Sequence, residues 1–454
     1  MSIKNFTFHI LIFIFFISKT AFAGISLIRD VETEKFLREI SNPIFDAARL
    51  EKKNIKIYII NDDSINAFVS GGQNVFVNTG LVRKYDSPDA LIGVIAHETG
   101  HIAAGHLARS FENAQKAEGV MLLSYLLGIA AAVGGSADAA QGLILGGSQT
   151  AERVFMKFTR NQEEAADTHA IEYLDKIQYP ADGLVTLLES FEVEMRAYKG
   201  QIDEYSLSHP VSRKRIDLIK SRTAGKNYSD KKINQKLQKS MDFILAKFEG
   251  FMENPDVILQ KYQNKNDEFS NYKKSLAFFK KGRVDESLKL LDKIIALNPK
   301  NGFLYETKGQ ILFETGNVEG AIIAYNKSSK LLERREAALI KIYFSSAILS
   351  LKNEDLELLN LAIKKLKEAQ EFEGDNPFLF KQLALAYSKI NQEALSLLAL
   401  AEYNLLIAQN DKAKKYAKEA KEKIDKNDKQ NQIYADDLIS MAGDEEKKER
   451  YTKP

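Results

Sequence analysis

The chain has 454 residues, with 64 basic and 62 acidic side chains, six histidines and no cysteine. That length exceeds what one ordinary core fills and predicts two or three domains, while a net charge of +2 leaves no electrostatic footprint for nucleic acid. Without cysteine there is no disulfide, no lipidated N-terminal thiol and no thiolate chemistry, so stability comes from packing.

Lys4, the apolar run from Phe6 to Ile17 and the Ala21-Phe22-Ala23 cleavage signal read as a secretory signal peptide over residues 1–23. The run is short for a permanent anchor. Removing it takes away Lys4 and Lys19, which brings the basic count from 64 to the same 62 as the acids.

"INAFVSGGQNVFVNTGL" reads as a strand, a glycine turn and a second strand ending at Gly80. An edge strand beside a reactive centre holds extended peptide through main-chain hydrogen bonds. Asn66, Ala67, Phe68, Gly71 and Gly72 are therefore candidates for aligning a substrate, with a plain structural hairpin as the alternative.

Ser87 as N-cap and Pro88 at the first helical position open a helix that the apolar pattern carries through Phe111. His97 and His101, four apart, project about 40° from one another and can share one metal ion, with Glu98 one step round the helix. This H-E-x-x-H spacing is the zinc-protease pattern, in which the glutamate acts as a base on water at the metal. His106 falls about 140° from His101 on a continuous helix, which suits packing or support of the site rather than ligation.

From Gly119 to Ala137 there is no charged residue, and the stretch is nearly long enough to cross a bilayer. Its glycines and its place between metal-ligand motifs favour a helical lid or membrane-surface hairpin over 119–147, with Gly146 and Gly147 as hinges and a span as the alternative.

A catalytic zinc takes three protein ligands and keeps one position for water. "FTRNQEEAADTHA" supplies the candidate third ligand, because Glu163 and Asp167 are four apart on one helical face. Glu163 completes a His2Glu set, and Asp167 is placed to accept the far N–H of a ligand histidine. On spacing alone, such an acid pair is also what a solvated face looks like. His169 lies off that face and reads as a surface residue. In "SLSHPVSRKRI", Pro210 disfavours helix at His209, which puts the imidazole on a loop or helix entrance.

"TAGKNYSDKKINQ" from Thr223 is a polar connector, and an amphipathic stretch from Lys236 to Lys261, broken near Pro255, reads as bridging helices. Beyond Asp267 the sequence repeats at an offset of 34, with Gly282 matching Gly316, Ser287 matching Ala321 and Leu291 matching Tyr325. Thirty-four residues is the tetratricopeptide (TPR) period. Tyr305, Gly309 and Leu312 fit the same grid, and Pro299 ends the preceding unit. Weaker units begin near Asn376 and in "AEYNLLIAQNDKAKKYAKEA". Between Leu339 and Gly374 the pattern is poorest, and an irregular helical bundle is the alternative there. The predicted division is signal 1–23, catalytic domain 24–222, linker helices 223–266, repeats 267–440 and a charged tail 441–454.

"HETGH", then "RNQEEAAD", preceded by "NAFVSGGQNVFVNTGL", resembles the HtpX-like and CAAX-prenyl-protease-like gluzincin family. The signal peptide and repeats make the chain similar to its periplasmic BepA-like members. The resemblance covers nearly the whole mature chain. It implies a mainly α fold, in which a gluzincin metallopeptidase domain of helices and a small sheet is followed by a TPR α-solenoid. It also implies one Zn2+ held by His97, His101 and Glu163, with Arg160 and Asp167 completing the R-x-x-E-x-x-A-D pattern. An acid often found two residues after the ligand is replaced by Ala165. The segment around His209 and Arg215 resembles the family's S-x-H-P segment, and Arg215, like Arg160 and Asp167, is expected to support the metal ligands. His209 is then an oxyanion donor or a fourth ligand that keeps the site latent, with a surface histidine as the plain reading.

The reading is an exported zinc endopeptidase in envelope protein quality control, acting on unfolded or misassembled outer-membrane proteins. Its repeats dock it to the assembly machinery in the periplasm, with membrane-surface contact through 119–147. The rival is a chaperone or scaffold with a structural or latched zinc site.

Overall fold

The computed structural model describes residues 26–70, 73–106, 160–197, 209, 211–226, 228, 234–352 and 355–443. The signal peptide, Gly71, Gly72, the 119–147 stretch with Gly146 and Gly147, Pro210 and nearly all of the charged tail lie outside the described residues. Among the described residues no helix is long and apolar enough to cross a membrane.

Among the described residues, the N-terminal half builds a four-stranded sheet from β1 (Leu27–Ile28), β2 (Ile57–Ile60), β3 (Ala67–Ser70) and β4 (Asn74–Asn78), ordered β1-β2-β4-β3. β2 and β4 are parallel, whereas β1 on β2 and β3 on β4 are antiparallel, with Phe68 opposite Phe76. The expected pair of strands thus forms, and β3 is an edge strand among the described residues. The second strand stops at Asn78 instead of Gly80, because α2 (Thr79–Lys84) begins there. Gly80 is needed for close approach: a Cβ on it would meet the Asp63 carbonyl oxygen at 2.1 Å.

The strands bring Ala67, Val75 and Val77 into a core with Phe36, Leu37 and Ile40 of α1 (Val31–Ala47). Leu91, Val94 and Ile95 of α3 (Asp89–Ala103) join the same core. α3 is the central helix and packs against α4 (Arg160–Lys176) and α5 (Asp182–Ala197). Two glycines set these approaches. A Cβ on Gly93 would lie 2.6 Å from the Leu184 nitrogen, and one on Gly100 would lie 2.6 Å from the Ala166 carbonyl oxygen. α3 ends at Ala103, not at Phe111 as its apolar pattern suggested. Gly105 adopts a left-handed backbone with φ 62°, and its N–H bonds the Ile102 carbonyl. Glycine just past the last helical turn is a stop signal that outweighs continued hydrophobicity.

After α6 (Arg213–Thr223), α7 (Gln235–Met252) is buried on two sides. Met241, Ile244 and Phe248 join the N-terminal core, while Phe243, Ala246 and Phe251 join a separate core with Tyr272 and Leu276. α8 (Pro255–Lys261) follows. Helices then stack in consecutive pairs: α9 (Glu268–Lys280) with α10 (Val284–Leu297), α11 (Gly302–Glu314) with α12 (Val318–Leu331), α13 (Arg334–Leu349) with α14 (Leu356–Glu373), α15 (Pro377–Lys389) with α16 (Glu393–Leu406), and α17 (Asn410–Lys423) with α18 (Lys429–Gly443).

This mainly α architecture, a small sheet with helices followed by a helical array, is the expected fold class. Gly282 and Gly316, matched by the repeat, both turn with positive φ between paired helices. The ring of Tyr325 fills the space that a side chain at Gly309 would need. The weakly patterned stretch is still a helix pair. Its helices are 16 and 18 residues long, and Ser350, not a left-handed glycine, caps the first, so the 34-residue grid slips there.

The array closes back on the N-terminal half. Val31 is buried in the core of the repeats. Arg29 pairs with Glu373 at 2.7 Å and Lys56 with Asp375 at 2.6 Å. The buried Lys247 of α7 lies 2.8 Å from both Asp30 and Glu32. Between the two halves runs a groove of about 950 Å³, with Tyr58 and Phe76 on one wall and Leu339 and Phe372 on the other.

Candidate metal centre

Helix periodicity places His97 and His101 on adjacent turns of α3, and the missing side chain at Gly100 lets α4 come close enough to deliver Glu163. His97 Nε2 and His101 Nε2 are 3.1 Å apart, and they lie 3.3 and 3.4 Å from the two oxygens of Glu163. His209, in the non-helical segment ahead of α6, joins them. Its Nδ1 is 3.3 Å from both His97 Nε2 and Glu163 Oε2. One ligand atom from each of these four residues falls within 4.8 Å of all the others, and all four side chains are buried.

The electrostatics show what this cluster can hold. Burial opposes charge on His97, yet Asp167 and Glu163 overcome it and raise its pKa to about 9. Burial, reinforced by the neighbouring imidazoles, takes His101 down to about 3. Glu163 is held well below the usual carboxylate range because His209, His101 and His97 outweigh its burial. Imidazoles this close cannot all be protonated, whereas one divalent cation satisfies every inward-facing donor at once. Nitrogen and carboxylate oxygen donors are those that zinc takes, and this set fits Zn2+.

Glu98 is fully buried, and neither of its oxygens accepts a hydrogen bond from a described residue. Burial raises its pKa, and its Oε1 lies 3.4 Å from His209 Nε2. A desolvated carboxyl beside a metal cluster has the proton affinity of a general base.

Around the donors, His97 Nδ1 lies 2.9 Å from Asp167 Oδ1. Arg215, 2% exposed, donates from Nε and Nη2 to Asp167 at 2.7 and 2.9 Å, and its Nη1 lies 2.9 Å from Glu163. Asp167 is held below its ordinary pKa because Arg215 outweighs its burial. Arg160, expected beside the ligands, is instead exposed at the first position of α4. The buried arginine comes from α6, through a contact that local spacing does not encode. His169 is on the surface, near Glu172 and stacked on Tyr173. His106 is buried, with its Nδ1 3.0 Å from His101 Nδ1. The signal for that contact was Gly105, a helix-stop residue that periodicity alone passed over. Of the strand candidates, Ala67 is buried and opposes Val77, and the Asn66 carbonyl accepts the Asn78 N–H.

Residues 32–223 match the model of peptidase family M48. This segment is similar to a peptidase M48 domain. All four clustered donors and Glu98 lie inside it. The chain is also similar to the beta-barrel assembly-enhancing protease of Escherichia coli strain K12, 24% identical over 71% of this chain and 66% of that protein. Against the protein of the same description from Yersinia pestis it is 25% identical over 70% of this chain and 64% of that protein. The mitochondrial metalloendopeptidase OMA1 of Schizosaccharomyces pombe is 26% identical over 41% of this chain and 52% of its own length. The chain therefore spans slightly less than two thirds of the length of the assembly-enhancing proteases.

Proposed function

We propose that this protein is an exported zinc endopeptidase that cleaves unfolded or misassembled polypeptide in envelope protein quality control. The observation that carries this reading is a buried Glu98, without a hydrogen-bond partner among the described residues, beside the convergent donors of His97, His101 and Glu163. A purely structural zinc site has no use for a base there.

Zinc bound by those three side chains supplies a Lewis acid that polarises a peptide carbonyl and lowers the pKa of water towards neutrality. Glu98 takes the proton from water on a carboxylate oxygen and returns it to the leaving amine. Asp167 orients the His97 ring, and Arg215 balances the charge of Glu163 and Asp167. The edge strand β3, with Asn66, Ala67 and Phe68, holds the substrate extended, and Gly71 and Gly72 belong to the same segment. The names of the assembly-enhancing relatives suggest outer-membrane β-barrel proteins as clients and their assembly machinery as the partner of the repeats. Residues 1–23 direct export to the periplasm, and 119–147 touches the membrane surface.

One observation favours the scaffold reading. His209 Nδ1 sits among the donors, and four protein ligands make a closed site. For hydrolysis His209 has to leave that place, and it is then available to donate to the developing oxyanion. Glu98→Gln separates the readings. Zinc content is expected to stay at the wild-type level while cleavage of an unfolded outer-membrane protein falls by about 10²–10⁴-fold. Retained cleavage overturns the mechanism, and retained envelope function without cleavage favours the scaffold.

A further inference from the structure

We propose that His106 is a positioning residue for His101, accepting its Nδ1–H hydrogen bond and thereby aiming Nε2 at the metal. The proposal rests on the zinc site, not on hydrolysis. His101 Nε2 is the atom that faces His97 Nε2 and Glu163. An imidazole that gives Nε2 to a cation keeps its remaining proton on Nδ1. That nitrogen lies 3.0 Å from His106 Nδ1, in rings set edge-on at 71°, and the two side chains are 1% and 3% exposed. Two nitrogens at this distance share one proton. His106 therefore presents a lone pair at Nδ1 and carries its own proton at Nε2.

The chain geometry makes the contact possible. On an unbroken helix His106 would point about 140° away from His101. Because α3 stops at Ala103 and Gly105 turns left-handed, His106 comes back against the final turn. The two α3 ligands are thus backed differently, His97 by the carboxylate of Asp167 and His101 by a neutral ring. The neutral partner fixes orientation without adding negative charge to a pocket that already holds Glu98, Glu163 and Asp167. The second nitrogen of a metal-ligating histidine usually has such a partner, and removing it costs roughly 10–100-fold in metal affinity.

The test is zinc affinity of the full-length mature protein, measured by chelator competition, for His106→Asn, His106→Gln and His106→Leu. The Asn amide oxygen reaches the position of Nδ1, whereas the Gln amide reaches that of Nε2. Leu and Gln are expected to weaken zinc roughly 10–100-fold, and Asn to stay close to wild type. Wild-type affinity in the Leu protein overturns the proposal, as does equal loss in Asn and Leu, which would mean packing alone. Thermal midpoints in excess chelator identify a variant that fails to fold, and if Leu does so, the contrast between Asn and Gln decides. Since no substrate enters the measurement, a protein that binds zinc but never cleaves peptide would defeat the peptidase reading and leave this one intact.

Discussion

Asp167 holds the far nitrogen of His97 while Arg215 grips both of its oxygens. This chain of contacts carries charge from a buried guanidinium to a metal ligand, so its value lies in the basicity and aim of the imidazole. Asp167→Asn keeps the shape and removes the anion. Zinc affinity is expected to fall about 10–100-fold with little change in helix content, as checked by chelator titration beside circular dichroism. His97 and His101 were legible in the sequence as a pair on one helical face, because four-residue spacing fixes a common face through covalent geometry alone; for Glu163 and Asp167 the same spacing left a solvated face open, and the resemblance to the gluzincin family carried their expected roles. Arg160 was assigned to the wrong environment for the converse reason. Proximity along the chain does not say which cation a fold brings inward, and the one it brings, Arg215, lies on another helix.

At the level of elements, the metal centre depends on how closely α3 and α4 approach. Helix axes come that near only where a side chain is absent, and Gly100 is that place. Gly100→Ala drives a methyl into the Ala166 carbonyl, a backbone group that cannot rotate away. The expected cost is about 1–3 kcal/mol of stability, with weakened zinc binding because Glu163 moves away with α4. Denaturant melts with and without zinc check both parts, and an unchanged midpoint would show that the helices separate freely. Gly105 works differently: it has open space around it but a left-handed backbone, so it ends α3 where hydrophobic periodicity ran on. The repeat pairs were readable from Gly282 and Gly316, and the pattern faded where α13 and α14 lengthened.

For the molecule as a whole, the junction between the N-terminal half and the helical array is built from charge. Glu306 of α11 faces a small cavity that Arg29, Asp30 and Lys247 also line. Burial raises the Glu306 pKa to about 8, with Asp30, Glu32 and Glu34 adding to the effect against Lys247. On the same cavity, Glu314 is raised by burial to about 7. The folded protein therefore keeps protons that the unfolded chain releases above about pH 4.5, and stability falls as pH rises through the window to about 8. Glu306→Gln is expected to raise the thermal midpoint at about pH 9 and to leave it unchanged at about pH 4. Equal shifts at both values would show that ionisation of Glu306 is not involved.

The sequence by itself determined the metal chemistry, the helical repeats and the strand pair, because each is written in local spacing: four residues for ligands on a helix, 34 for a repeat, two for a strand. Only the tertiary structure decided that His209 joins the donors, that Arg215 serves both carboxylates, that His106 backs His101 and that the array closes on Arg29 and Lys56. Those contacts join residues whose separation along the chain carries no periodic signal, or depend on a single left-handed glycine, and they exist only once helices have packed.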